Sequence, residues 1–146
     1  MSTPPPNPQV ALAYGPALTL DDALRAIDAA RAEASARGWP MAIAVVDPAG
    51  DLIALARMDD TQLGSIDVAI HKARTAARFR RPTTAFEAAV AQGGAGLRTL
   101  TMDVSAIEGG LPCVRADRVV GAIGVSGMLP TQDGEVARAG LAALAG

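Results

Sequence analysis

The chain has 146 residues and a mass of 14.8 kDa, enough for one domain with its own hydrophobic core and no disulfide or metal staples. Half of its residues are hydrophobic but only 3% are aromatic, so the core must be built from Ala, Val, Ile and Leu, and stacking platforms are scarce. A net charge of -2 argues against a binder of nucleic-acid backbone, which needs a basic face. The single cysteine, Cys113, excludes an intrachain disulfide framework and suits a reducing compartment.

In chain order, MSTPPPNPQV carries no basic stretch followed by an apolar run and does not read as a secretory signal. Its prolines predict an extended, mobile tail over residues 1–17, with one domain over 18–146. Thr19 is placed to cap a helix with Asp21 and Asp22 in its first turn, and Gly38 and Pro40 end it. MAIAVVD (41–47) and DLIALARM (51–58), joined by Pro48-Ala49-Gly50, predict a hairpin.

SIDVAIHKARTAARF (65–79) predicts a helix with Ser65 as N-cap and Pro82 as its limit, followed by a shorter helix from Thr83 or Thr84 to Val90. LRTLTMDVSAI (97–107) is ambiguous between loop and strand. GGLPCVRADRVVGAIGVSG (109–127) reads as two strands reversing at Ala116-Asp117, and a last helix follows from near Gln132. No run of 18 apolar residues occurs, so no membrane span is expected, and a cytoplasmic location is the default. The sum is an α+β domain with an antiparallel sheet.

Plotted at about 100° per residue, Ile66, Ala69, Ile70, Ala73 and Ala77 form the core stripe of the 65–79 helix. Asp67, His71, Arg74 and Arg78 gather on a polar outer face, with Asp67 and His71 placed as an i,i+4 pair. Lys72 projects from a different flank, among Val68, Thr75, Ala76 and Phe79. A lysine there snorkels to the edge, binds an anion in a cavity, or loses its proton through desolvation.

The familiar catalytic patterns do not fit. GVSG (124–127) lacks the final glycine of a nucleophile elbow, so Ser126 is not read as an acylation nucleophile. Gly121, Gly124 and Gly127 are spaced wrongly for a dinucleotide loop, and no local pair of ligands supports zinc. Cys113 reads as a small core residue. Glu108-Gly109-Gly110 forms either an anion-binding nest or a tight turn. The last helix offers a second set of N–H donors, which Asp133 can fill itself.

RMDD (57–60), KARTAA (72–77), EGGLP (108–112) and VVGAIGVSG (119–127), followed by QD and VA, stand in the order and spacing of the GlcG/HbpS family. That family is also called the haem-degrading domain family and includes the C-terminal domain of PduO-type proteins. The resemblance spans about residues 18 to 145. It implies a profilin-like fold of about five antiparallel strands flanked by helices, assembled as a homo-oligomer from dimer to octamer. It further implies haem or corrinoid binding, redox sensing, or a place in a small-molecule catabolic operon. Carried over by position, the family pattern falls on Lys72, Thr75, Glu108, Gly109, Gly110, Gly124 to Gly127 with Ser126, and Asp133. One departure is that the first helix holds no histidine, and the family pattern has none at the position of His71.

Three functions compete. The first is a small-molecule-binding module holding haem or another planar anion near Lys72 and His71, with haem the one candidate cofactor and no metal site. The second is a metal-independent isomerase, tautomerase or hydratase/lyase on a small carboxylate or carbonyl metabolite. Lys72 would be its anion anchor or base, Glu108 or Asp133 its proton shuttle, and the glycine amides its oxyanion donors. The third is an accessory subunit whose Arg74/Arg78 face is an oligomer interface. Neither nucleic acid nor membrane is an expected partner.

Overall fold

The computed structural model describes residues 12–145. The elements are β1 (Ala13–Tyr14), α1 (Leu20–Arg37), β2 (Ala42–Val46), β3 (Leu52–Arg57), α2 (Ser65–Phe79), α3 (Thr84–Gln92), a 3-10 segment (Gly94–Thr101), β4 (Gly110–Arg115), β5 (Arg118–Ser126) and α4 (Pro130–Ala142). Among the described residues, no helix is long and apolar enough to cross a membrane.

β5 is the centre of a five-stranded sheet. β4 runs antiparallel along one of its edges, while β2 and, near its start, β1 occupy the other. β3 continues the sheet beyond β2. The architecture is the expected α+β one, with a parallel exception where Ala13 and Tyr14 pair with Arg118 and Val119. That strand lies inside the stretch read as tail. The part of the tail before residue 12 lies outside the described residues.

Helices cover both faces, which is why β2 is apolar throughout rather than alternating. Ile43 and Val45 pack with Ile123 and Val125 toward α1 and α4, and Cys113 sits in that same core. Ala42, Ala44, Val46 and Ala122 meet Ala69, Ala73, Ala76 and Ala77 of α2. The alanine-on-alanine layer lets α2 lie very close to the sheet. At Gly124 an added Cβ would overlap the carbonyl oxygen of Ala69 and sit 2.5 Å from the backbone nitrogen of Ala73. Only glycine permits that approach.

Local chemistry sets the element ends. Asp22 N–H donates to Thr19 Oγ1 and Thr19 N–H to Asp22 Oδ2, both at 3.1 Å, forming a capping box. The Asp47 carboxylate accepts from the N–H groups of Ala49 and Asp51 and fixes the β2–β3 turn. Ala116 and Asp117 both adopt positive φ, 49° and 60°, as a tight hairpin between β4 and β5 requires. Ser65 opens α2 instead of capping it; Gly64 is the cap residue, and the buried Ser65 hydroxyl has no partner among the described residues. The ambiguous 97–107 stretch resolves into the end of the 3-10 segment and a loop.

Candidate functional site

Lys72 neither snorkels nor faces a cavity. It is 1% exposed, and its Nζ donates to Asp133 Oδ2 at 2.8 Å and to the Val125 carbonyl at 3.0 Å. Asp133, 2% exposed in the first turn of α4, also accepts the Met128 N–H at 3.0 Å. Burial pushes the Asp133 carboxyl up, against the pull of the Lys72 ammonium and of the backbone N–H groups at Met128 and Gly127. The pair ties α2, the end of β5 and the start of α4 together from inside.

Gly109 and Gly110 run directly over this pair. A Cβ on Gly109 would stand 2.8 Å from Lys72 Nζ and 2.5 Å from the Val125 carbonyl oxygen, and Gly109 itself has φ of 135°. A Cβ on Gly110 would strike the Lys72 carbonyl and sit 2.7 Å from Thr83 Cγ2. The Gly110 N–H already donates to Thr83 Oγ1 at 3.0 Å, and Gly109 C=O accepts from Val125 N–H at 2.9 Å. Close approach, rather than an open anion nest, accounts for the double glycine. Glu108 lies against Gly134 of α4, with Oε2 3.6 Å from Arg138, and its N–H donates to Glu87 Oε1 at 3.4 Å. Ser126, buried at the end of β5, is in register with Ala42. The structure thus gathers Lys72, Asp133, Glu108, Gly109 and Gly110 around one buried junction.

His71 and Thr75 belong to a second region. His71 points outward as expected, but its partner is Asp103, not Asp67: Nε2 and Asp103 Oδ1 are 2.9 Å apart. The two side chains are 37% and 79% exposed. Thr75, one turn on, donates to the His71 carbonyl at 2.7 Å and accepts the Ser105 N–H at 2.9 Å, so it holds the 102–107 loop against α2. Asp67, Val68, Ile70, His71, Arg74 and Asp103 line an open groove of about 510 Å³. Arg74 is steadied by the Gly50 carbonyl at 3.3 Å. The participation of Asp103 had no local signal in the sequence, because it is 32 residues from His71 and follows an irregular segment. Among the described residues, no three His, Cys, Asp or Glu side chains are placed to hold a metal ion.

The chain is similar to known proteins over most of its length. It is 41% identical to Protein GlcG of Escherichia coli K12 over 100 residues, covering 68% of this chain and 74% of that one. A crystal structure of a Streptomyces reticuli HbpS double mutant superposes with a TM-score of 0.83 at 31% identity, covering 100% of this chain and 99% of that one. A crystal structure of a PduOC–heme complex superposes with a TM-score of 0.80 at 30% identity, covering 87% and 94%. The family model described as "Haem degrading protein HbpS-like" matches residues 18–142. The chain belongs to the HbpS-like family.

Proposed function

We propose that the protein is a small-molecule-binding member of this family, cytoplasmic and homo-oligomeric, that docks haem or a similar planar anion in the groove beside His71. The observation that carries the reading is that the chain's one imidazole stands on the wall of an open groove. Haem iron can be held by His, Cys, Met or Tyr, and of that set His71 is the one that lines the groove. Cys113 is buried in the core, and the single Tyr14 hydroxyl proton is shared between the carbonyls of Ala77 and Arg78, each 2.9 Å away. His71 is reachable, Val68 and Ile70 supply apolar wall, and the Arg74 guanidinium supplies positive charge for a carboxylate. The donor set therefore fits the group.

Bound haem would supply a redox-active iron able to exchange ligands. The chain's own contribution is to hold and orient the imidazole. The His71–Asp103 contact is exposed and worth at most about 1 kcal/mol, so Nε2 is released at small cost. Lys72 and Asp133, with Gly109 and Gly110 packed over them, hold α2 from behind, and none of these nor Glu108 or Ser126 lines the groove. The enzymatic alternative needs a reachable Lys72 amine, and no observation favours that reading over the binding one.

Titration with ferric haem, followed at the Soret band, tests the assignment. A saturable red shift that is lost in His71→Ala, with that variant's far-UV circular dichroism unchanged, supports it. A shift indifferent to His71→Ala refutes it.

A further inference from the structure

A second groove, on the far side of the sheet from His71, is formed where the C-terminal half of α1 faces the end of β3. Its volume is about 560 Å³, and its walls include Arg31, Trp39, Arg57, Met58, Asp59 and Asp60. It therefore contains the whole RMDD stretch, which neither the fold nor the His71 groove explains. We propose that this groove is a separate binding site for a zwitterionic ligand, one carrying a carboxylate, an ammonium group and an apolar planar part.

Four observations converge on that class. First, the charges are of both signs and balanced: two guanidinium groups and two carboxylates share one cavity. An anion alone would meet the aspartates and a cation alone the arginines, whereas a ligand bearing both satisfies both. Second, these charges are available. Arg57, Asp59 and Asp60 make no side-chain hydrogen bond or ion pair with another described residue, and Arg31 has only an exposed contact with Asp28 at 3.5 Å. Most other arginines are engaged: Arg74 and Arg78 on the β2–β3 turn, Arg80 on Leu12, Arg115 on Asp22.

Third, Asp60 has φ of 67°, a left-handed conformation uncommon for a residue with a side chain. Aspartate and glycine both tolerate this region, so Asp60→Gly leaves the backbone as it is, and the carboxylate that aspartate adds stands at the groove wall. Fourth, Trp39 is the only indole in the chain. The Arg37 guanidinium lies over its ring at 5.1 Å to the centroid, which fixes the ring's orientation at the groove wall. With Met58 and the aliphatic wall beside it, the indole offers the surface for the planar part.

Because Trp39 is the sole tryptophan, its emission reports on this groove directly. L-Phenylalanine is the probe; phenethylamine lacks only its carboxylate, and phenylacetate is a carboxylate one carbon shorter that has no ammonium. L-Phenylalanine is expected to change Trp39 emission saturably, and each analogue to bind about tenfold more weakly, the loss of one charge-assisted contact. Asp60→Gly, which suits the left-handed backbone and so keeps the fold, is expected to weaken L-phenylalanine about tenfold and leave phenylacetate unchanged. His71→Ala is expected to change nothing here, which separates this site from the haem groove. The proposal is overturned if L-phenylalanine gives no saturable response below about 10 mM, a concentration corresponding to very weak binding. It is equally overturned if Asp60→Gly weakens L-phenylalanine and phenylacetate alike.

Discussion

Removing one partner of the Lys72–Asp133 pair should be far more damaging than removing both. At 2.8 Å, with an effective dielectric of about 20, the attraction is about 6 kcal/mol. It is set against the desolvation of two side chains that are 2% and 3% exposed. The net worth of the pair is therefore small, but each charge left alone keeps its whole desolvation cost. Lys72→Met should lose about 3–5 kcal/mol, and Asp133→Leu a similar amount. The double replacement should return to within about 2 kcal/mol of the parent, since the methionine and leucine can pack where the ions met. For a domain of this size the single losses correspond to a fall in Tm of about 10 °C. Urea unfolding followed by Trp39 fluorescence and by far-UV circular dichroism measures all four corners of the cycle. Single losses below about 1 kcal/mol, or losses that simply add in the double variant, would refute the reasoning and return Lys72 to the ligand-facing roles.

Acid should weaken the fold through Asp22. Arg115, foremost, with the Thr19 cap and Arg25, holds the Asp22 carboxyl well below its ordinary 3.8. A lowered folded value gives stability that is present above 3.8 and lost as the pH falls toward the lowered one. Urea midpoints should show little Asp22-dependent change from pH 7 to about pH 4, then fall more steeply toward pH 2 for the parent than for Asp22→Asn; parallel curves would contradict this. Gly124→Ala, whose Cβ meets α2 backbone, should lose about 3 kcal/mol or fail to fold. Gly38→Ala, with open space around it and φ of 73°, should lose only about 1 kcal/mol, both variants being compared with the parent by urea unfolding.

Much of the architecture is legible in the sequence because it rests on local signals. The Thr19 cap, the 41–58 hairpin, the Ala116-Asp117 reversal and the 65–79 helix all announce themselves through caps, turn residues or period. β1 was hidden, since a two-residue strand has no period and is stabilised only by the edge of β5. The helical plot separated His71 from Lys72 correctly, placing one on the polar face and the other among apolar neighbours. It could not supply their partners. Asp133 lies 61 residues from Lys72 and Asp103 lies 32 from His71, and both pairings are products of tertiary packing. For the same reason the double glycine at 109–110 looked like an anion nest or a turn. Its cause, the passage of Lys72 beneath it, is visible only once α2 is laid on the sheet.

In the proposed function the lone imidazole, His71, is the residue that meets the ligand. Tag-free protein labelled with 15N-histidine has a single pair of imidazole nitrogen signals, since His71 is the only histidine. Addition of ferric haem should shift or broaden that pair beyond detection through the paramagnetic iron, in step with saturation of the Soret change. An imidazole signal unmoved at full haem occupancy would contradict the claim and place the ligand elsewhere on the molecule.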